Sequence, residues 1–197
     1  MYKIILASGS PRRKEILEQV GVKFEVITSD CNENIGVYLP DELVKSLSRL
    51  KAETVAENIE GEAVIIGADT VVSKDGLIFG KPGTIEHAKE MIESISGDTH
   101  SVFTGVCIII KSHDIKRNRI INFVEETKVC VAQMSEEEIN NYVSTQEPYD
   151  KAGGYAVQGL FAPYILGISG DYYNIVGLPV ARIYHELKME GIDILHG

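Results

Sequence analysis

Residues 7–13, Ala7-Ser8-Gly9-Ser10-Pro11-Arg12-Arg13, decide how this chain is read. Just upstream, Tyr2-Lys3-Ile4-Ile5-Leu6 is a short apolar run of the kind that forms a buried strand. Just downstream, Ile16, Leu17 and Val20 recur at helical spacing until Gly21 stops them. Ser10 suits an N-cap and Pro11 the first helical position, where a missing N–H costs nothing. The stretch therefore predicts strand, small-residue turn and helix N-terminus, an arrangement whose free N–H groups favour an anion. Arg12 and Arg13 sit in the first turn, where each opposes the helix dipole by about 0.3–1 kcal/mol. A bound phosphate reverses that sign, because charge-assisted hydrogen bonds contribute about 1.5–3 kcal/mol. Two solvated arginines on a surface helix are the plainer alternative.

The rest of the composition makes clustered cations informative. The chain has 197 residues, 44% hydrophobic and 24% charged, with a net charge of −10. That length suits a single domain, or two lobes sharing a cleft. The acidic balance disfavours nonspecific nucleic-acid binding. There is no run of eighteen apolar residues and no signal-peptide pattern, so no membrane partner is expected. Cys31, Cys107 and Cys130 are odd in number and form no C-x-x-C, which reads as buried thiols in a reducing cytoplasm.

Going along the chain, residues 22–27 alternate apolar and charged and read as a half-buried strand, followed by a polar, acidic loop at 29–34. A helix is predicted over 41–59 with Leu43, Leu47 and Leu50 inward. Lys51 falls inside that apolar arc, either snorkelling to water past the helix edge or aimed into a cleft. In Ala63-Val64-Ile65-Ile66-Gly67-Ala68-Asp69-Thr70-Val71-Val72 a lone carboxylate breaks what looks like the middle of a sheet. Burying it unpaired costs several kcal/mol, roughly, so Asp69 is either a structural cap or the chain's best catalytic candidate. Asp75-Gly76 is a two-residue hairpin signal that returns the chain to Gly80-Lys81-Pro82 and brings Lys81 near Asp69. Gly76 to Lys81 is not a Walker A loop, since it is one residue short and Pro82 stands where Ser or Thr should hold magnesium.

Thr84 caps a helix carrying Ala88, Met91, Ile92 and Ile95, ended by Gly97. Long strands are expected at 101–111 and 120–132, joined by a solvated basic loop at 113–119. Ser135 to Glu138 is a capping box opening a short helix. Residues 147–159 are too glycine-rich and too mixed in charge for a core element, and a long ordered loop of this kind is usually functional. A strand at 165–168 and a last helix carrying Val180, Ile183, Tyr184 and Leu187 complete the order. Irregular alternation of strands and helices with an internal hairpin gives an α/β chain that is not a Rossmann repeat, and no G-x-G-x-x-G supports one. No histidines pair at metal-ligand spacing and no G-x-S-x-G appears. What remains is phosphate chemistry.

These residues together resemble the Maf family of nucleoside triphosphate pyrophosphatases. The resemblance spans essentially the whole chain and rests on an ordered set of blocks. These are residues 7–13, Gly67-Ala-Asp-Thr-Val71, Gly80-Lys-Pro82, Ser96-Gly97 before His100, Thr104-Gly-Val106, the 147–159 loop and Val176-Gly-Leu-Pro179. It implies one two-lobed α/β domain over 1–197, with a mixed twisted sheet flanked by helices and a central cleft, similar to inosine-triphosphate pyrophosphatases. It also implies cytoplasmic location, a divalent cation (Mg²⁺ or Mn²⁺) and hydrolysis of a nucleoside triphosphate to the monophosphate and pyrophosphate. A homodimer is compatible with the resemblance, though no residue requires one.

Arg12, Thr70 and Gln158 match the subgroup similar to dTTP/UTP pyrophosphatases, whereas the sister subgroup acting on methylated guanine nucleotides carries an aromatic, Gln and Glu there. A neutral Gln158 amide both donates and accepts, as the O4 and N3–H edge of uracil or thymine requires. By resemblance, Asp69 is the general base and Lys81 its catalytic partner on the leaving phosphates. Ser8, Ser10, Arg12, Arg13, Lys51, Thr70 and Gln158 bind substrate, while Glu33 and Asp69 hold the metal. Asn32 departs from the pattern, since members often have an acidic residue beside Glu33; only Glu33 is carried over. A nucleotide-sensing regulatory protein, linked through the family to septum formation and cell-division control, is the alternative function.

Overall fold

The computed structural model describes residues 2–29, 31, 33, 36 and 39–195. Its elements are β1 (Lys3–Leu6), α1 (Pro11–Gln19), β2 (Glu25–Val26), α2 (Pro40–Ala56), β3 (Ala63–Lys74), β4 (Leu77–Phe79) and α3 (Ile85–Ile95). They continue with β5 (Thr99–Lys111), β6 (Arg119–Val131), α4 (Glu136–Val143), β7 (Ile165–Ser169), α5 (Tyr172–Val176) and α6 (Val180–Met189). One mixed sheet runs β2-β1-β3-β5-β6-β7, with β4 also paired to β3. β1 lies parallel to β2 and β3, and the remaining pairs are antiparallel. This is the mixed, helix-flanked α/β sheet expected from the sequence.

The long apolar strands are covered on both faces, which is why their burial does not alternate. On one face Ile66, Ala68 and Val106 pack against Ile16 and Leu17 of α1 and Val180, Ile183 and Leu187 of α6. On the other, Ile65, Cys107 and Ile109 pack against Ala52 and Val55 of α2. Farther along, Val72, Val102 and Val129 join a third cluster built with α3, α4 and the 147–161 region. Side chains alternate across a strand. In β3, odd positions therefore look toward α2 and even positions toward α1.

The cleft forms where β3 loses a neighbour. β1 last pairs with β3 at Leu6–Ile66, and β4 first pairs at Val72–Phe79. Between them that edge of β3 carries no strand, because the 7–10 turn leaves the sheet there to start α1. Only β3, β5 and β6 continue beneath the gap, so one sheet serves two lobes.

Local sequence signals account for most boundaries. The Asp75-Gly76 hairpin has both residues at positive φ (52° and 79°), as this turn demands. Thr84 accepts from His87 N, and Ser135 with Glu138 completes the capping box. Ser10 occupies the N-cap position of α1 but makes no side-chain cap bond.

Several expectations are corrected. The strand read at 22–27 contracts to the exposed pair Glu25–Val26, since only two residues reach β1. In α2 the buried face is Val44, Leu47, Ser48, Ala52 and Val55, while Leu43 and Leu50 are only half-buried. The reason is close approach: a Cβ on Gly67 would stand 2.8 Å from Ala52 N, and one on Gly105 2.7 Å from Lys45 N. These glycines draw the small-residue side of α2 onto the sheet and leave Leu43 and Leu50 at its margins. Residues 170–179 hold the short helix α5, capped by Asp171. The 113–119 loop is exposed, as expected, with a 3₁₀ turn inside it. Cys107 is buried, its thiol pushed up to about 12 by desolvation, whereas Cys31 and Cys130 are half-buried; all three are unbridged. Among the described residues no helix is long and apolar enough to cross a membrane. Of the acidic loop read at 29–34, Asp30, Asn32 and Asn34 lie outside the described residues.

Candidate active site

The cleft has a volume of about 480 Å³. Its lining brings together Ser10, Arg12, Arg13, Glu33, Lys51, Asp69, Thr70, Lys81 and Gln158, so nine of the ten residues singled out from sequence face one space. The tenth, Ser8, is buried behind Arg13 rather than lining the cleft. Five cations, Arg12, Arg13, Lys51, Lys81 and Lys151, face two carboxylates, Glu33 and Asp69, in a chain whose net charge is −10. Such focused positive potential selects an anionic ligand.

Asp69 and Thr70 are the half-buried interruption in the burial of β3. Their alternation sends Asp69 toward α2 and Thr70 toward α1. Lys51 Nζ lies 2.6 Å from Asp69 Oδ1 and 3.1 Å from Glu33 Oε1. The Lys51 and Asp69 side chains are only 12% and 14% exposed, whereas Glu33 is 57% exposed. Lys51 therefore does not snorkel to bulk water; its position in the apolar arc of α2 aims it at the cleft floor. Lys51 thus occupies Asp69 Oδ1, and Oδ2 makes no hydrogen bond to a described residue.

Arg13 is 9% exposed and makes three bonds, each to a neutral oxygen. Nε donates to the Gly177 carbonyl at 2.8 Å, Nη1 to Ser8 Oγ at 2.9 Å and Nη2 to Thr70 Oγ1 at 3.1 Å. Gly177 adopts φ 123°, a conformation an L side chain avoids, and this turns its carbonyl toward the guanidinium. Burial pushes the Arg13 pKa below its ordinary value, with the field of Asp69 acting in the opposite sense. An arginine nonetheless stays charged in proteins. A guanidinium has five N–H donors, so one on each terminal nitrogen remains uncommitted. A buried cation lacking a bonded carboxylate is a place for an anion. Ser8 Oγ also accepts from Ser10 N at 3.3 Å, which ties the turn to Arg13.

Arg12, one residue earlier and so about 100° around α1, makes a 3.5 Å ion pair with Asp150 across the cleft mouth. Lys81, on the segment after β4, is exposed and forms no ion pair with a described residue. Gln158 is exposed at the rim with its amide free of described partners. The 147–159 loop is ordered in 3₁₀ turns and anchored by Gly153 N donating to Gly80 O at 3.0 Å. Lys151 in this loop, held by the Glu147 carbonyl at 3.1 Å, is a cleft cation that residue-by-residue reading of the sequence missed. Tyr155 lies behind it, bonded to the buried His100 Nε2 at 2.6 Å.

Among the described residues no cluster of three or more His, Cys, Asp or Glu could hold a metal. Glu33 and Asp69 nonetheless converge on the one Lys51 nitrogen. Two convergent carboxylates fit a magnesium-type ion, which takes one or two from protein and completes its shell with phosphates and water.

The sequence matches the family model described as Maf-like protein over residues 3–190. It is 51% identical over 195 residues to the dTTP/UTP pyrophosphatase of Lachnoclostridium phytofermentans, covering 99% of this chain and 98% of that relative. It is 48% identical over 197 residues to the dTTP/UTP pyrophosphatase of Bacillus cereus, covering 100% of each. Among solved structures, the Staphylococcus aureus Ham1 protein aligns with a TM-score of 0.42 at 12% identity, covering 82% of this chain and 93% of that one. With a family model matched over nearly its whole length and relatives at about half identity along the entire sequence, this chain belongs to the Maf family.

Proposed function

We propose that this protein hydrolyses dTTP and UTP to the nucleoside monophosphate and pyrophosphate. The observation that carries the reading is Arg13, a buried guanidinium bonded only to neutral oxygens and set beside the Lys51–Asp69 pair. The names of the relatives, dTTP/UTP pyrophosphatases at 48–51% identity, support the substrate class.

Release of pyrophosphate requires attack at the α-phosphorus while the β- and γ-phosphates leave together. Arg13 presents its two free N–H groups to those phosphates, and the N-terminal turn of α1 adds unpaired backbone donors. Lys81 supplies an unpaired ammonium at the rim, and Arg12 joins once the phosphates compete with Asp150. Asp69 accepts the proton of the attacking water on Oδ2 while Lys51 holds Oδ1. Base catalysis of this kind is worth about 10²–10⁴-fold. Fixed cations that meet charge as it develops add transition-state stabilisation without reorganisation. Glu33 and Asp69 are the residues that would hold Mg²⁺ or Mn²⁺, whose chemistry there is to neutralise phosphate charge. Ser8, Ser10 and Thr70 shape the turn and the guanidinium behind the phosphates. Gln158 reads the O4 and N3–H edge of the base, which rests against Leu43, Leu47 and Phe79.

The test is pyrophosphate release from a panel of nucleoside triphosphates with magnesium or manganese, wild type beside Asp69→Asn. Turnover of dTTP and UTP is expected, falling at least about 10²-fold in the variant while nucleotide binding persists. An active Asp69→Asn protein removes Asp69 from the base role. Wild-type binding without turnover replaces the enzyme with a nucleotide sensor.

A further inference from the structure

The guanidinium that faces the phosphates is held by a line of hydroxyls whose direction the bonding fixes. Thr104 Oγ1 donates to the Asn174 carbonyl at 2.9 Å. A hydroxyl carries a single proton, so in the 2.9 Å contact between the Thr70 and Thr104 hydroxyls the donor is Thr70. Thr70 Oγ1 in turn accepts from Arg13 Nη2 at 3.1 Å. The line therefore runs one way, from Arg13 to Thr70, to Thr104, to the Asn174 carbonyl. The sheet register makes it feasible, because Thr70 and Thr104 are direct cross-strand partners on one face of β3 and β5.

Its far end is fixed. Thr104 and Asn174 are both fully buried. Asn174 Nδ2 donates to the Val102 carbonyl at 3.0 Å and to Thr127 Oγ1 at 2.9 Å, and Thr127 donates to the Asp171 carbonyl at 3.0 Å. These bonds lock α5 against β5 and β6. The Gly177 carbonyl that receives Arg13 Nε follows directly on α5, so the guanidinium is gripped at Nε and Nη2 by two arms of one buried network. The only proton of Thr70 points away from the cleft and cannot be offered to a nucleotide.

We propose that Thr70 and Thr104 are positioning residues that fix the plane of Arg13, and that Thr70 governs nucleotide binding through Arg13 rather than by contact. This rests on the reading that the cleft takes a nucleoside triphosphate. A hydroxyl that is a bond acceptor for a buried cation costs most when removed, because the donor is then left unsatisfied. Thr104, fully buried and linked to Arg13 only through Thr70, acquires a functional effect by the same route.

The experiment is a double-mutant cycle on the dissociation constant of α,β-methylene-dTTP with magnesium, together with dTTP turnover by the wild type and a melting curve for every variant. The variants are Thr104→Val, Thr104→Ser, Thr70→Val and Arg13→Lys, the last keeping the charge and losing the planar fork. Thr104→Val and Thr70→Val are each expected to weaken binding about tenfold, and Thr104→Ser to stay within about twofold of wild type. In the Arg13→Lys background neither valine has a further effect. Should Thr104→Val fail to fold, the half-buried Thr70 completes the same cycle. A valine penalty of equal size in both backgrounds, or a Thr104→Val protein that binds as tightly as wild type, overturns the proposal. Wild-type binding of the analogue without dTTP turnover refutes the hydrolytic reading and leaves the cycle readable. A wild type that binds no analogue refutes both.

Discussion

Gly105→Ala is the sharpest test of how the site is assembled. Gly105 pairs with Asp69 across β3 and β5, directly under α2. An added Cβ would stand 2.7 Å from Lys45 N and closer still to the Val44 carbonyl, both backbone atoms that cannot rotate away. Restoring ordinary contact requires α2 to retreat by about 1 Å, and overpacking of this kind costs about 1–3 kcal/mol. Lys51 rides on the same helix, so its 2.6 Å bond to Asp69 lengthens with the retreat. A displacement of about 1 Å near reacting groups is worth about 10²-fold in rate. The assay is a urea melt beside kcat/KM for dTTP, with Gly83→Ala as control because nothing lies within 4 Å of its Cβ position. Gly105→Ala should lose both stability and activity, and the control should lose neither. A Gly105→Ala protein as stable and as active as wild type would refute the claim that helix–sheet contact at this glycine sets the Lys51–Asp69 geometry.

Two further outcomes are expected. Gln158→Glu removes the amide donor and places a negative charge at the cleft rim, so kcat/KM for dTTP and UTP should fall by about tenfold or more relative to purine triphosphates; unchanged selectivity among nucleotides removes Gln158 from base reading. His100 is buried against Tyr155, and desolvation, reinforced by Lys74 and opposed by Asp98, lowers its pKa from 6.5 to about 4. The unfolded chain then takes up a proton that the folded protein refuses. Stability is full above pH 6.5 and declines toward pH 4, by about 3 kcal/mol in total. His100→Gln should flatten that part of the pH–stability curve, and parallel wild-type and variant curves from urea melts would count against it.

What the sequence made legible was local. The strand, turn and helix around residues 7–13, the Asp75-Gly76 hairpin and the Ser135 capping box all follow from neighbours a few positions apart. Asp69 was legible because a carboxylate in an apolar run has few explanations, and Lys51 because helical periodicity puts it on an apolar face. Without the family resemblance, Arg12 and Arg13 were legible as a pair and not as individuals. Only the fold separates the buried Arg13 from Arg12 at the cleft mouth. Thr104 stood in one of the family blocks, but its bonds to Thr70 and Asn174 were hidden because these residues are neutral and meet across 34 to 70 residues of chain. The marginal position of Leu43 and Leu50 was hidden for a different reason: periodicity counts apolar residues, whereas α2 sits where glycines on β3 and β5 let its backbone approach.

β3, β5 and β6, of 12, 13 and 13 residues, pass without interruption under the gap between the lobes. A hinge needs a few residues free to change φ and ψ. Here every residue from Ala63 to Ser73 is laddered to β5. Opening the lobes like a jaw would shear that ladder. Above that floor, α1 and the 147–159 loop meet at the mouth through Arg12 and Asp150. The floor of the cleft is built as a fixed anvil, so a ligand should bind with little main-chain rearrangement of the sheet.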